Sequence, residues 1–143
     1  MPYNYIVGFD GTDQSRRAVD YAAAQAEKSG AELHLVFVIE WSPYSFHTAA
    51  ELAERKGRRV QELKRAEEIV LPLAEELKAR GVVSHAVARH GNAVEVLCSL
   101  AKEKETAQII IGRTGDTALT QRLLGGLAIS LAQASPVPLT IVP

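Results

Sequence analysis

Residues 108–131 read QIIIGRTGDTALTQRLLGGLAISL, and three features in series bear on the fold. Ile109–Ile111 is an unbroken apolar run, Gly112 ends it, and a helical apolar pattern resumes at Leu127 and Leu131. A strand apolar at every position belongs to a sheet covered on both faces, the usual condition of parallel sheets. A strand leading through a glycine-rich segment into a helix is one β-α unit of such a sheet. The same segment poses a functional question. Its glycines either present backbone N–H groups to an anion at a helix start, or only serve turns.

HLVFVI at residues 34–39 is a second doubly apolar run. The expected strands are Tyr5–Phe9, Leu33–Ile39, Gln108–Ile111 and Leu139–Val142, with a weaker, more polar one at Val82–Ala88. Thr12 or Asp13 can cap a helix running to Ser29, with Ala18, Ala22 and Ala26 on one face and Gly30 at its end. Residues 49–80 form a longer charged helical region whose later part repeats apolar residues at Leu63, Ala66, Val70, Ala74 and Leu77. Pro72 interrupts that stripe and predicts a kink or break near Ile69–Leu71. Gly57 predicts a second weak point, with 40–57 a partly irregular insertion. Asn92 is the expected cap of a third helix facing inward with Val94, Leu97, Cys98 and Ala101, and a last helix spans about Gly125 to Ala134. Strands alternating with helices imply a parallel α/β sheet joined by right-handed crossovers.

The 143 residues suit one domain over 1–143 with a substantial core. Hydrophobic residues make up 47%, charged residues 23%, and the formal net charge is −1. That balance gives no electrostatic reason to expect nucleic acid or an anionic membrane as a partner. Cys98 is the single cysteine, so no disulfide framework arises within one chain. No apolar run approaches a membrane span, and MPYNYIVGFD reads as a first strand rather than a signal peptide, so a cytoplasmic location is expected.

Ligands of open parallel sheets bind beyond the carboxyl ends of the strands. Two segments there exceed simple connections: VGFDGTDQS at 7–15 and IGRTGDTALTQRLLGG at 111–126. If their strands are neighbours, Asp10 and Gly112 share one rim, where Asp10 can accept from a ribose hydroxyl or an exocyclic amine. Asp-Gly is also a common turn pair, so Asp10 as a turn or cap former stays open. Gly112 and Gly115 as residues that simply adopt positive φ stay open as well.

The spacing Gly112-x2-Gly115-x9-Gly125, after an apolar strand and before a helix, resembles the ATP-binding signature of the universal stress protein family. YIVGFDGTDQSRRAVDYA, LHLVFVIE, RHGNAVEVL and SPVPLTIVP resemble that family's first strand and helix, second strand, loop into the third helix, and closing strand. The resemblance implies an open five-stranded parallel sheet in the order 3-2-1-4-5 with helices on both faces. It further implies that Gly8 and Asp10 border an adenosine, Val38 packs on the base, and Ile111 and Gly112 line base and ribose. Gly115 would approach the phosphates, and the amides of Gly125, Gly126 and Leu127 would hold them. The implied cofactor is ATP, with AMP or ADP as variants and Mg²⁺ as a companion. The implied assembly is a homodimer through the C-terminal strand at 137–143.

One departure concerns the phosphates. The family signature carries Ser or Thr after the last glycine, and this chain has Gly126. A lost neutral hydrogen bond of about 0.5–1.5 kcal/mol weakens binding roughly three- to tenfold. Arg113 or Arg122 can offset the loss by pairing with a phosphate, although a solvated arginine is the plainer role for Arg113. No lysine lies in the loop, and Asp116 is the one weak candidate for a metal or water ligand. A binding module in stress response, acting as sensor or regulator rather than efficient enzyme, is therefore the expected function. The rivals are a nucleotide-free dimer working through protein partners, and a slow ATPase or autophosphorylating protein using Asp116 with Thr114, Thr117 or Thr120.

The remaining candidates read as structural. His34, His47, His85 and His90 lack metal-binding spacing. His34 and His85 fall in strands, and His90 falls in a loop without an evident partner. Cys98 reads as core, and Glu51–Arg55 and Glu54–Arg58 are helix pairs four residues apart. Trp41, Tyr44 and Phe46 can form a lid, a partner contact or a small satellite core.

Overall fold

The computed structural model describes residues 3–40, 49–113 and 126–143. Among these residues, five strands and four helices alternate: β1 (Asn4–Gly8), α1 (Asp13–Ser29), β2 (Glu32–Ile39), α2 (Ala49–Ala79), β3 (Ser84–His90), α3 (Ala93–Glu103), β4 (Thr106–Gly112), α4 (Gly126–Ala134) and β5 (Leu139–Val142). Every pairing is parallel, and the order is β3-β2-β1-β4-β5. The two neighbours of β1 are thus β2 and β4, and β1 is central.

The side-chain alternation of the strands divides the core into two layers. Tyr5, Val7, Leu33, Leu35 and Ile110 point to one face, where Val19, Ala22, Val70 and Leu77 of α1 and α2 cover them. Ile6, Val36, Ile109 and Ile111 point to the other, under Leu97 and Leu100 of α3 and Leu131 of α4. Ile6, Val7, Leu33, Leu35, Ile109 and Ile110 are all fully buried, as doubly apolar strands require.

Helix α1 begins and ends on the expected residues. The Thr12 side chain accepts from Ser15 N–H, satisfying an orphan donor, and Gly30 closes the helix at φ 77°. Asn92 caps α3 in the same way, accepting from Glu95 N–H at 3.2 Å.

Three local expectations are corrected. Helix α2 runs unbroken from Ala49 to Ala79, so neither Pro72 nor Gly57 divides it, and residues 49–57 are helical rather than irregular. Pro72 is exposed on the side away from the buried stripe of Ala66, Val70, Leu73, Ala74 and Leu77, so its ring displaces no packing contact. Strand β3 lies two residues later than expected. Gly81 at φ 86° and the Val82 N–H donating to Leu77 O form the turn that Val82 belongs to. His90 consequently closes β3, and its Nε2 lies 3.4 Å from a Glu62 carboxylate oxygen of α2. Among the described residues, no helix is long and apolar enough to cross a membrane.

Candidate functional site

At the carboxyl end of β1 the chain leaves the sheet through Gly8, Phe9, Asp10 and Gly11, the last at φ 85°. The Phe9 N–H still bonds Val36 O at 2.9 Å, so the strand is held up to the edge of the rim. Asp10 Oδ1 accepts from Thr12 N–H at 3.1 Å, and Asp10 N–H donates to Ser15 Oγ at 3.2 Å. The turn-forming role of Asp10 is therefore realised. It uses Oδ1, while Oδ2 makes no hydrogen bond among the described residues, and the side chain is exposed.

Strand β4 ends beside this turn. Ile6 and Val7 pair with Ile109 and Ile110, so Gly8 and Ile111 stand side by side one step further on. A Cβ on Gly8 would lie 3.1 Å from Ile111 Cγ2. A Cβ on Gly112 would lie 3.1 Å from Gln14 O and 3.2 Å from the Gln14 carbonyl carbon. Gly112 is not among the positive-φ residues. Its glycine is required by close approach of β4 to the first turn of α1, not by the positive φ left open from sequence. Next to it, Arg113 N–H donates to Val142 O at 2.9 Å and the Arg113 side chain is exposed.

The candidate apolar residues converge. Val38, Ile111 and Leu127 belong to the layer beneath α3 and α4, and Gly8 opens onto the same layer. Val38 is only half buried, as is Leu127 in the first turn of α4, so both border the rim. Gly126 is the first residue of α4, where the free N–H groups of a helix start are found. Asp10 and Gly112 stand at the same rim. Gly115, Arg122 and Gly125 lie outside the described residues, as do Thr114, Asp116, Thr117, Thr120, Trp41, Tyr44, Phe46 and His47.

Two residues not singled out from sequence also shape the rim. Ser15 ties the Asp10 backbone to α1 by accepting from Asp10 N–H and donating to Thr12 O at 2.9 Å. Glu40, just past β2, accepts from Ala93 N–H at 3.3 Å at the start of α3, and Gly91 N–H bonds Ile39 O at 3.1 Å. A serine three residues after a cap is a legible signal; a Glu meeting a helix 53 residues away is not. Cys98 is half buried at the edge of the α3 layer.

Electrostatic perturbation lies elsewhere. His34 sits third in β2, near the amino ends of the strands, and burial pushes its imidazole below the usual histidine range. Repulsion from His85 and Lys104 adds to that, and Glu32 opposes it. The His34 and His85 rings stack with centroids 4.8 Å apart, His34 Nε2–H donates to Asn4 Oδ1 at 3.0 Å, and His85 Nε2–H donates to Glu32 Oε1 at 2.8 Å. Both histidines are thus occupied in packing and hydrogen bonding. Among the described residues, no group of three or more His, Cys, Asp or Glu side chains is placed to hold a metal ion.

A family model described as the Universal stress protein family matches residues 3–143. Universal stress protein MJ0531 of Methanocaldococcus jannaschii is 28% identical over 144 residues, covering 96% of this chain and 79% of its own. The structure of universal stress protein UspA from Lactobacillus plantarum matches with a TM-score of 0.85 at 18% identity, covering 99% of this chain and 97% of that one. A universal stress protein solved in complex with cAMP matches with a TM-score of 0.71 at 26% identity, covering 99% and 97%.

Proposed function

Because the chain belongs to the universal stress protein family, we propose that it is an adenine-nucleotide-binding sensor or regulator of the stress response. It works in the cytoplasm as a homodimer joined through residues 137–143. The observation that carries the reading is the convergence of Gly8, Val38, Ile111 and Leu127 on one apolar layer, with Asp10 and Gly112 above it. An apolar floor beside a carboxylate whose Oδ2 has no partner among the described residues, with side-chain-free backbone, suits a flat base attached to a ribose. The related structure that holds cAMP, at 26% identity, supports the same ligand class.

In this reading Val38 and Ile111 pack on the base, and Asp10 Oδ2 accepts from the ribose or an exocyclic amine. Gly112 lets the ribose approach the backbone. Gly115, Gly125, Gly126 and Leu127 hold the phosphates through amides, and Arg122 supplies positive charge. Mg²⁺ accompanies ATP. The activity in this reading is binding rather than turnover.

Calorimetric titration with ATP, AMP and cAMP, with and without Mg²⁺, tests the proposal. Binding that drops roughly tenfold or more in Asp10→Ala is expected, since a hydrogen bond to a charged group contributes about 1.5–3 kcal/mol. Absence of binding at millimolar nucleotide overturns it. Gly126→Ser restores the hydroxyl donor and should raise ATP affinity roughly three- to tenfold. The missing hydroxyl at Gly126 also favours a second reading, a nucleotide-free dimer acting through protein partners, which the same titration separates.

A further inference from the structure

Helix α2 is longer than the sheet it covers. Its buried residues, Ala66, Val70, Leu73, Ala74 and Leu77, all lie in the second half, and no residue of 49–65 is buried. A core-packing helix does not need that first half. The two halves also differ in charge. Residues 49–65 hold six Arg or Lys against three Glu, a net +3, and residues 66–79 hold four Glu against Lys78, a net −3. One helix thus carries opposite charges end to end, in a chain whose total is −1.

One exposed flank adds apolar contacts to that pattern. Val60 and Leu71 are 65% and 50% exposed, and Lys64 and Glu67 between them are exposed as well. Spacings of four, three and four residues put all four on one narrow face. That face is roughly 100° around the helix axis from the buried stripe, by the helical repeat. The opposite flank is the one turned to α1, where Glu76 pairs with Arg16 at 2.7 Å.

We propose that this flank of α2 is an interface with a second copy of the same chain, the two helices lying antiparallel about a two-fold axis between residues 65 and 66. The sequence is self-complementary about that point. Val60 of each copy meets the partner's Leu71, and Lys64 of each copy meets the partner's Glu67. The basic half of each helix lies along the acidic half of its partner, whereas a parallel arrangement sets like charges together. The contact uses neither the nucleotide rim nor the C-terminal strand, so it stands or falls independently of the function proposed above.

The test is charge exchange in the full-length chain, with association read by sedimentation equilibrium across the micromolar range. Lys64→Glu alone or Glu67→Lys alone sets two like-charge pairs across the axis, and each variant should self-associate at least about tenfold more weakly than wild type. An equal mixture of the two variants should regain association, because every contact between unlike chains is again opposite in sign. Labelling one variant with ¹⁵N lets native mass spectrometry identify the mixed species. Damage to the fold cannot produce recovery on mixing, so the mixture separates lost association from lost folding. Where copies are also joined at β5, the readout is the step beyond that dimer. Wild-type association unaltered by either change, no association at this step in the wild type, or a mixture no tighter than its components would each overturn the proposal.

Discussion

A single missing atom at Gly112 holds β4 against α1. The Gln14 carbonyl group that a Cβ would strike, at 3.1 and 3.2 Å, is backbone inside the first turn of a capped helix and has little room to yield. Gly112→Ala should therefore destabilise the fold by about 1–3 kcal/mol, the usual cost of overpacking. At Gly8 the obstacle is one side-chain methyl, Ile111 Cγ2, rather than a backbone carbonyl group, so Gly8→Ala should cost less. Urea unfolding of both variants checks the order, and equal losses would contradict it. His34 gives a pH signature. Burial, His85 and Lys104 hold its folded-state affinity for a proton below the value near 6.5 of a free imidazole, against the pull of Glu32. Above that pH the ring is neutral in both states and contributes nothing. As pH falls below it, the unfolded chain takes the proton more readily, and stability is lost down to the depressed folded value. His34→Gln should flatten this part of the stability curve as the pH falls through about 6.5 and below, measured by urea midpoints; an unchanged slope would refute it.

Among the elements, α3 was legible to the residue at its start and α1 to within one residue, because Asn92 and Thr12 cap by local hydrogen bonds, and a local bond needs no tertiary partner. Helix α2 was not. Pro72 was expected to kink or break it, and no break occurs, because the buried stripe on both sides of Pro72 is anchored to β2 and β3 while the proline ring faces outward. The residual cost is a missing N–H and a crowded preceding turn. Pro72→Ala should raise stability by roughly 1–3 kcal/mol, within the penalty for proline in a helix interior. A thermal melt in which the variant is no more stable than wild type would show that α2 has already relaxed around the ring. Strand β3 slipped from expectation for a related reason. Val82 is apolar and buried like a strand residue, but it packs beneath the end of α2 from a turn.

For the molecule as a whole, strand order decides which surfaces are free. Among the described residues β5 pairs only with β4, leaving its other edge unpaired, and Ile141 there is 42% exposed. An apolar, unpaired edge invites pairing with another chain. If the proposed homodimer uses it, Ile141→Lys should shift the protein toward monomer in size-exclusion chromatography with light scattering, leaving nucleotide affinity intact. Persistence of the dimer would move the interface elsewhere. The sequence by itself determined the alternation of strands and helices, the parallel sheet and the caps. Those follow from apolar periodicity and from hydrogen bonds between residues a few positions apart. The family resemblance added the strand order and, beside Asp10 and Gly112, the candidates Gly8, Val38 and Ile111. Only the tertiary structure decided that Gly112 is glycine because α1 lies against it, that His34 and His85 stack, that Glu40 reaches the start of α3, and that half of α2 covers no core. Each of these depends on two segments distant in sequence meeting at a particular register, which no local pattern encodes.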